Sequence, residues 1–148
     1  MLKSLNIVII LVLMGLSCCQ KSWQNQNWKV KVADIAKQNA HSKSKSKCGE
    51  YVREAIQRAR GDKVQGTGIK SSKDFGPFLT SNGYAETNKS FKDAKPGNIA
   101  IFEGNKAHPH GHIQVLGRDN VWRSDFSQPS HIPWRDKKNN VPDAKIYE

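Results

Sequence analysis

Long apolar stretches, cysteines and acidic residues are all scarce in this chain of 148 residues. The longest apolar run, residues 7–16, is roughly half of the ~20 residues that a membrane-spanning helix needs, so no transmembrane helix is predicted. A total of 3 cysteines excludes a disulfide-rich scaffold. No internal repeat is found, which excludes a solenoid or a propeller. The chain is therefore expected to form one compact domain with a single modest core.

Residues 1–19 have the pattern of an export signal. Lys3 supplies a positive charge, and the apolar run is followed directly by Ser17, Cys18 and Cys19. This order is typical of a secretory signal peptide, and its end resembles a lipobox with Cys19 as the lipid-accepting residue. We therefore expect an exported protein that lies in the periplasm, is anchored as an outer membrane lipoprotein, or is secreted. The sequence leaves lipidation at Cys19 and simple cleavage as alternatives.

Basic residues outnumber acidic ones, 24 Lys and Arg against 13 Asp and Glu, which gives a net charge of +11. Such a surface attracts polyanions. The lysines are not interleaved with aromatic residues as they are in a nucleic-acid groove, so no nucleic-acid partner is expected. For an exported protein, the anionic envelope surface is the polyanion within reach.

The N-terminal half of the mature chain is predicted to be helical. Residues 20–30 are rich in Gln, Asn and Ser and are interpreted as a tether, followed by a short helix that ends near Ala40. An amphipathic helix should run from Cys48 to Gly61, with Ser46 as its N-cap, because apolar residues recur at helical spacing. Its core stripe consists of Cys48, Tyr51, Val52, Ala55, Ile56 and Ala59.

The C-terminal half is predicted to form a sheet. After a second short helix at 72–82, apolar runs at 99–102, 111–116 and 121–126 are separated by turns, which favours an antiparallel meander. Residues 144–147 could add an edge strand. The expected fold class is α+β, with the N-terminal helices packed on a C-terminal antiparallel sheet.

Cys48 is the one cysteine left in the domain after the export segment is set aside. Structural cysteines of exported proteins normally pair as disulfides, so an unpaired thiol at a helix start indicates reactivity, with a buried inert thiol as the alternative. Acyl transfer also needs a base and a group that orients the base. His112 at the start of a strand is the candidate base, and Asp125 is the candidate orienting residue, with three rivals: Gln114, Ser124 and Gln128.

Three segments in this order, Cys-Gly-Glu-Tyr-Val at 48–52, Lys-Pro-Gly-Asn-Ile-Ala-Ile-Phe at 95–102 and Gly-His-Ile-Gln-Val at 111–115, are similar to a known family. They resemble papain-like amidases that cut peptidoglycan peptides, including CHAP amidases and the amidase effectors of type VI secretion. Members usually have Asp where this chain has Asn98, a position in the turn.

The resemblance implies a papain-like amidohydrolase domain at 31–148 that hydrolyses amide bonds in peptidoglycan stem peptides through a thioester. It assigns Cys48 as nucleophile, His112 as base and Asp125 as the orienting residue, with no metal or organic cofactor. The partners it implies are peptidoglycan and an immunity protein, and the domain is expected to be a monomer. Substrate contacts are expected from His110, Gln114 and Trp134.

Two other interpretations fit the sequence. Alternating His108, His110 and His112 could bind zinc in a cell-wall hydrolase, with His131 or Asp125 as a further ligand. Alternatively, the domain is a basic, non-catalytic lipoprotein that binds the envelope, in which case the thiol of Cys48 would be inert.

Overall fold

The computed structural model describes residues 28–61 and 68–148. The predicted export segment, most of the predicted tether and residues 62–67 lie outside the described residues. The first helix, α1, covers residues 28–39, so residues 28–30 belong to a helix and the prediction of a tether there was wrong. The reason is packing that the local composition does not reveal: the ring of Trp28 lies edge-on to that of Tyr84, with centroids 5.3 Å apart.

Helix α2, Cys48–Arg60, confirms the clearest periodic pattern of the sequence. Its inner face buries Val52, Ala55, Ile56 and Ala59. The helix ends at Gly61, whose left-handed backbone with φ 71° lets its N–H donate to the carbonyl of Gln57.

The start of α2 differs from the predicted N-cap. Lys47 occupies the cap position without a side-chain hydrogen bond, and Ser46 has a φ of 60°. The prediction of Ser46 as N-cap was therefore wrong. The loop before the helix is held instead from a distance, because a carboxylate oxygen of Asp125 accepts hydrogen bonds from the backbone N–H groups of Lys45 and Lys47.

The predicted second helix is divided into a 3-10 helix, Ser72–Asp74, and α3, Gly76–Ser81. Pro77 lies at the start of α3, where the missing backbone N–H costs nothing and the fixed φ favours a helix. Within the described ranges, no helix is both long and apolar enough to cross a bilayer.

The sheet has the strand order β1-β5-β2-β3-β4, and its pairs are antiparallel. The strands are Glu86–Thr87, Ile99–Phe102, His112–Leu116, Trp122–Arg123 and Ala144–Tyr147, numbered β1 to β5. The predicted meander β2-β3-β4 is confirmed. However, β5 is not the predicted edge strand, because it lies between β1 and β2.

Strand β4 stops after two residues because the chain folds back on itself directly behind it. The N–H of Ser124 donates to the carbonyl of Phe126, and the N–H of Gln128 donates to the carbonyl of Trp122. These bonds form a tight corner where a continuous strand at 121–126 was predicted.

The helices cover one face of the sheet and bury Ile56, Leu79, Ile113 and Val115 in the main core. A smaller cluster on other sheet residues contains Phe102, Leu116, Trp122 and Ile146. The predicted α+β fold, with N-terminal helices packed on a C-terminal antiparallel sheet, is confirmed. This arrangement brings the start of α2 and the start of β3 to the same cleft.

Candidate active site

A cleft of about 670 Å³ opens beside the first turn of α2. Both Cys48 and His112 line it, although 64 positions separate them in sequence (112 − 48). Its walls come from the loop before α2, the 3-10 helix region, the loop before β3 and the corner after β4. The lining residues used below are Arg53, Lys70, Ser72, His108, His110, Asp125, Gln128 and Trp134.

Cys48 is a free cysteine and the first residue of α2. Its side chain is partly exposed, and Sγ lies 3.0 Å from the hydroxyl oxygen of Ser72. The first N–H groups of a helix have no partner within the helix, so they can donate to an oxyanion that forms beside the sulfur. The position thus combines an accessible thiol with donors for developing negative charge.

Gly49 allows the wall of the cleft to approach this first turn closely. A Cβ atom at this position would lie 2.9 Å from two ring carbons of Phe75, closer than atoms in a folded protein tolerate. The buried Phe75 ring follows the 3-10 helix and holds it against the start of α2. The absence of a side chain at residue 49 therefore contributes to the placement of Ser72 beside Cys48.

His112 is the first residue of β3, and 8% of it is exposed. Burial lowers the pKa of His112 to about 4, although the negative charge of Asp125 acts in the opposite direction. The imidazole is consequently neutral at pH 7, which is the form that can accept a proton.

The side chain of Gln128 forms a hydrogen bond with the His112 ring, and a hydrogen bond from Gln114 also acts to raise the pKa of His112. The amide nitrogen of Gln128 lies 2.8 Å from Nε2 of His112, and it also donates to the hydroxyl of Ser124 at 3.0 Å. Both Gln128 and Ser124 are buried. A half-turn of the amide exchanges its oxygen and nitrogen, and the oxygen would then accept a hydrogen bond from Nε2–H of His112.

Asp125 lies in the cleft wall but directs its carboxylate away from a bond with His112. It is 1% exposed, and its oxygens accept hydrogen bonds from the Ser44 and Ser124 hydroxyls and from the backbone of Lys45 and Lys47. Burial raises its pKa, but these donors outweigh burial and hold the pKa below its usual value. Asp125 therefore fastens the loop that leads into Cys48.

Cys48 and His112 face the same cleft without a direct hydrogen bond between them in the described chain. Such bonds between a nucleophile and its base are often long before substrate binds and shorten in the complex. The structure thus brings the predicted nucleophile and the predicted base to one cleft without a hydrogen bond between them.

The loop before β3 is attached across the cleft. Nδ1 of His110 lies 2.9 Å from the Ser71 hydroxyl, and the carbonyl of His110 accepts a hydrogen bond from the backbone N–H of Lys73. The ring of His108 stacks on Trp134, with centroids 4.4 Å apart. His110 and Trp134, two of the expected substrate contacts, therefore line the cleft.

Gln114, the third expected substrate contact, is 0% exposed and is not among the residues that line the cleft. Its amide nitrogen donates to the carbonyl of His131. Gln114 therefore does not reach the cleft in this structure, because its side chain is buried and bonded to the backbone behind β3.

The three alternating histidines do not form a shared metal site. His108 stacks on Trp134, His110 contacts Ser71 and His112 contacts Gln128. Within residues 28–61 and 68–148, no three His, Cys, Asp or Glu side chains converge as ligands of one ion. The proline and glycine between the histidines break the strand that would have aligned the rings.

The roles of two residues of the site could not be derived from the sequence. Ser72 was assigned only to a helix, and no local pattern indicates that its hydroxyl meets a sulfur 24 positions away. Gln128 was named as a rival of Asp125, but nothing in the sequence could rank it first, since the corner after β4 places both side chains.

Exchanging Asp125 for asparagine and Gln128 for alanine should separate their roles. If Gln128 orients His112, Gln128→Ala should lower kcat about 100-fold, by more than its loss of stability accounts for at a temperature where the variant is folded. Asp125→Asn should mainly lower the free energy of unfolding, by about 1–3 kcal/mol, because buried N–H groups lose an acceptor. Hydrolysis rates and denaturant unfolding of both variants check this, and a folded, fully stable but inactive Asp125→Asn variant would contradict it.

No protein-family model and no curated protein matches the chain. Two solved structures do. One chain of the crystal structure of the type VI native effector–immunity complex Tae3–Tai3 from Ralstonia pickettii is 31% identical to this protein, with a TM-score of 0.69. The match covers 81% of this chain and 97% of the matched chain. The selenomethionine form of the complex matches with 32% identity and a TM-score of 0.66, over 80% and 99%. Of the two groups named from the motifs, the comparisons support the type VI effectors. The chain belongs to the Tae3 family of type VI effectors.

Proposed function

We propose that this protein is a peptidoglycan amidase that hydrolyses amide bonds in stem peptides, with Cys48 as nucleophile and His112 as base. The observation that carries the proposal is the cleft in which the thiol at the start of α2 and a neutral imidazole at the start of β3 face the same space. Membership of the Tae3 family supports the same reading.

The first half of the reaction forms a thioester. The thiol of Cys48 loses its proton to His112, and the sulfur attacks the carbonyl carbon of the amide. Free N–H groups at the start of α2 donate to the oxyanion. The proton on His112 then passes to the departing amine, the carbon–nitrogen bond breaks, and the acyl group remains on sulfur.

The second half restores the enzyme. His112 takes a proton from water, the resulting hydroxide attacks the thioester, and the carbon–sulfur bond breaks. The sulfur leaves as thiolate and regains the proton from His112, while the acid product departs. Gln128 holds the imidazole during both halves, and we propose it, rather than Asp125, as the orienting residue. In this role its amide oxygen accepts from Nε2–H and leaves Nδ1 to carry the transferred proton.

The charge and shape of the cleft suit an acidic peptide. Arg53 is partly buried and Lys70 is exposed in the lining, and neither forms an ion pair within the described residues. Stem peptides carry free carboxylates, which such cations attract. The stacked rings of His108 and Trp134 offer a flat apolar wall for the rest of the substrate.

We further propose an immunity protein as partner, because the related Tae3 structures are effector–immunity complexes. The predicted export segment at residues 1–19 would deliver the domain to the periplasm or beyond, where peptidoglycan is accessible. An anionic envelope surface remains the proposed non-specific partner of the basic domain.

Digestion of defined muropeptides tests the function. The purified protein should release new amino groups from peptide-bearing muropeptides, and the product masses should identify the cleaved amide bond. EDTA should leave the rate unchanged. Failure of the folded protein to cleave any muropeptide would support the non-catalytic envelope-binding module, and loss of activity in EDTA would support a zinc hydrolase.

A further inference from the structure

We infer that Ser72 is a catalytic residue whose hydroxyl donates a hydrogen bond to the sulfur of Cys48 as the thiolate forms. The inference rests on the proposed function and adds a residue to it. Its starting point is the separation of 3.0 Å between Ser72 Oγ and Cys48 Sγ.

Burial limits the hydrogen-bond partners that are open to the Ser72 hydroxyl. Ser72 is 7% exposed, and in the described chain the hydrogen bond of its side chain is the one to Cys48. A buried hydroxyl without a partner costs free energy, which favours the hydrogen bond between this group and the sulfur.

The position of Ser72 is fixed from three directions. Its carbonyl accepts a hydrogen bond from the N–H of Phe75, and the N–H of the next residue, Lys73, donates to the carbonyl of His110. The Phe75 ring packs against Gly49, where a Cβ atom would also lie 3.5 Å from Ser72 Oγ. A donor held in this way needs no reorganisation when charge develops.

Ionisation of the Cys48 thiol decides which group donates in its hydrogen bond with Ser72. Between a neutral thiol and a hydroxyl, either group can donate. Once the thiol has lost its proton to His112, only the Ser72 O–H can donate, and a hydrogen bond to an ionised acceptor is about twice as strong as a neutral one. The bond therefore strengthens when the nucleophile is activated, which favours the reactive form.

The test is the pH dependence of Cys48 alkylation by iodoacetamide in the full chain. Trypsin cuts after Lys47 and Arg53, so the label on residues 48–53 can be quantified by mass spectrometry apart from Cys18 and Cys19. Ser72→Ala should raise the midpoint of the alkylation profile by about one pH unit and lower kcat/KM about tenfold. Ser71→Ala is the matched control: its hydroxyl contacts His110, so the alkylation midpoint should not move.

A Ser72→Ala alkylation midpoint equal to that of the wild type would overturn the inference. If the melting temperature changes at the same time, Ser72 acts only in packing. This result leaves the proposed function intact if the wild type still cleaves muropeptides and Cys48→Ala does not. If the wild type cleaves nothing, the proposed function itself fails.

Discussion

Replacing Cys48 with alanine should reduce hydrolysis of muropeptides by about 1000-fold or more. The thioester cannot form without the sulfur, and the remaining rate comes only from binding and from the oxyanion donors at the start of α2. The fold should survive, because Cys48 is partly exposed and alanine is the best helix former. Initial rates of amine release, compared with circular dichroism and thermal unfolding of the same samples, check both halves of the prediction.

Cys48→Ser provides the matched control, since it retains the shape of the side chain but has a far weaker nucleophile. It should be nearly as inactive as Cys48→Ala, and both variants should still bind peptidoglycan in a sedimentation assay. If Cys48→Ala retains full activity, the thiol is not the nucleophile, and the domain uses other groups in the cleft.

Replacing Gly111 with alanine should destabilise the protein by about 3 kcal/mol or more. Gly111 has a φ of 64°, and a Cβ atom there would collide with the carbonyl oxygen of Phe102 and lie 2.9 Å from Cβ of Lys73. Both the left-handed backbone and the clash therefore oppose any side chain. Since His112 follows directly, activity should fall even at temperatures where the variant is folded.

Gly61→Ala separates the cost of the left-handed backbone from the cost of the clash. Gly61 has a similar φ of 71°, but among the described residues, its chain neighbours aside, no atom lies within 4 Å of the position of its Cβ. This variant should lose only about 1 kcal/mol, the cost of a left-handed conformation for a residue with a side chain. Denaturant unfolding of both variants gives the comparison. Equal losses for Gly61→Ala and Gly111→Ala would show that the close approach of Phe102 and Lys73 is unimportant.

The elements that could be predicted are those with a strong local pattern. Helix α2 follows from apolar spacing and the glycine behind it, and β2 and β3 follow from short apolar runs bounded by turns. The turn at Asn98 is also confirmed: its N–H donates to the carbonyl of Lys95, and its side-chain oxygen accepts from the N–H of Lys95. Asn98 thus has a structural role, as its place in the motif implied.

The elements that could not be predicted depend on contacts between distant segments. Strand β1 has two residues and exists because Glu86 and Thr87 pair with the end of the chain. The same pairing moves β5 from the edge into the sheet. No window of local sequence contains this information, since strand order is set by the tertiary fold.

The candidate site was likewise only partly predictable from local sequence. Residue types and motif order were sufficient to propose Cys48 and His112, and both line the cleft. The choice between Asp125 and Gln128 needed coordinates, because they lie three residues apart on one corner and point to different partners. Asp125 binds the loop before α2, and Gln128 contacts the histidine.

The most direct measurement is the activity that remains as Cys48 is progressively alkylated. Samples of the full chain treated with iodoacetamide for increasing times are divided, one part for the amidase assay and the other for quantification of the label on residues 48–53. If Cys48 is the nucleophile, the fraction of activity left should equal the fraction of Cys48 that is unmodified. Full hydrolytic activity in a sample whose Cys48 is completely alkylated would contradict it.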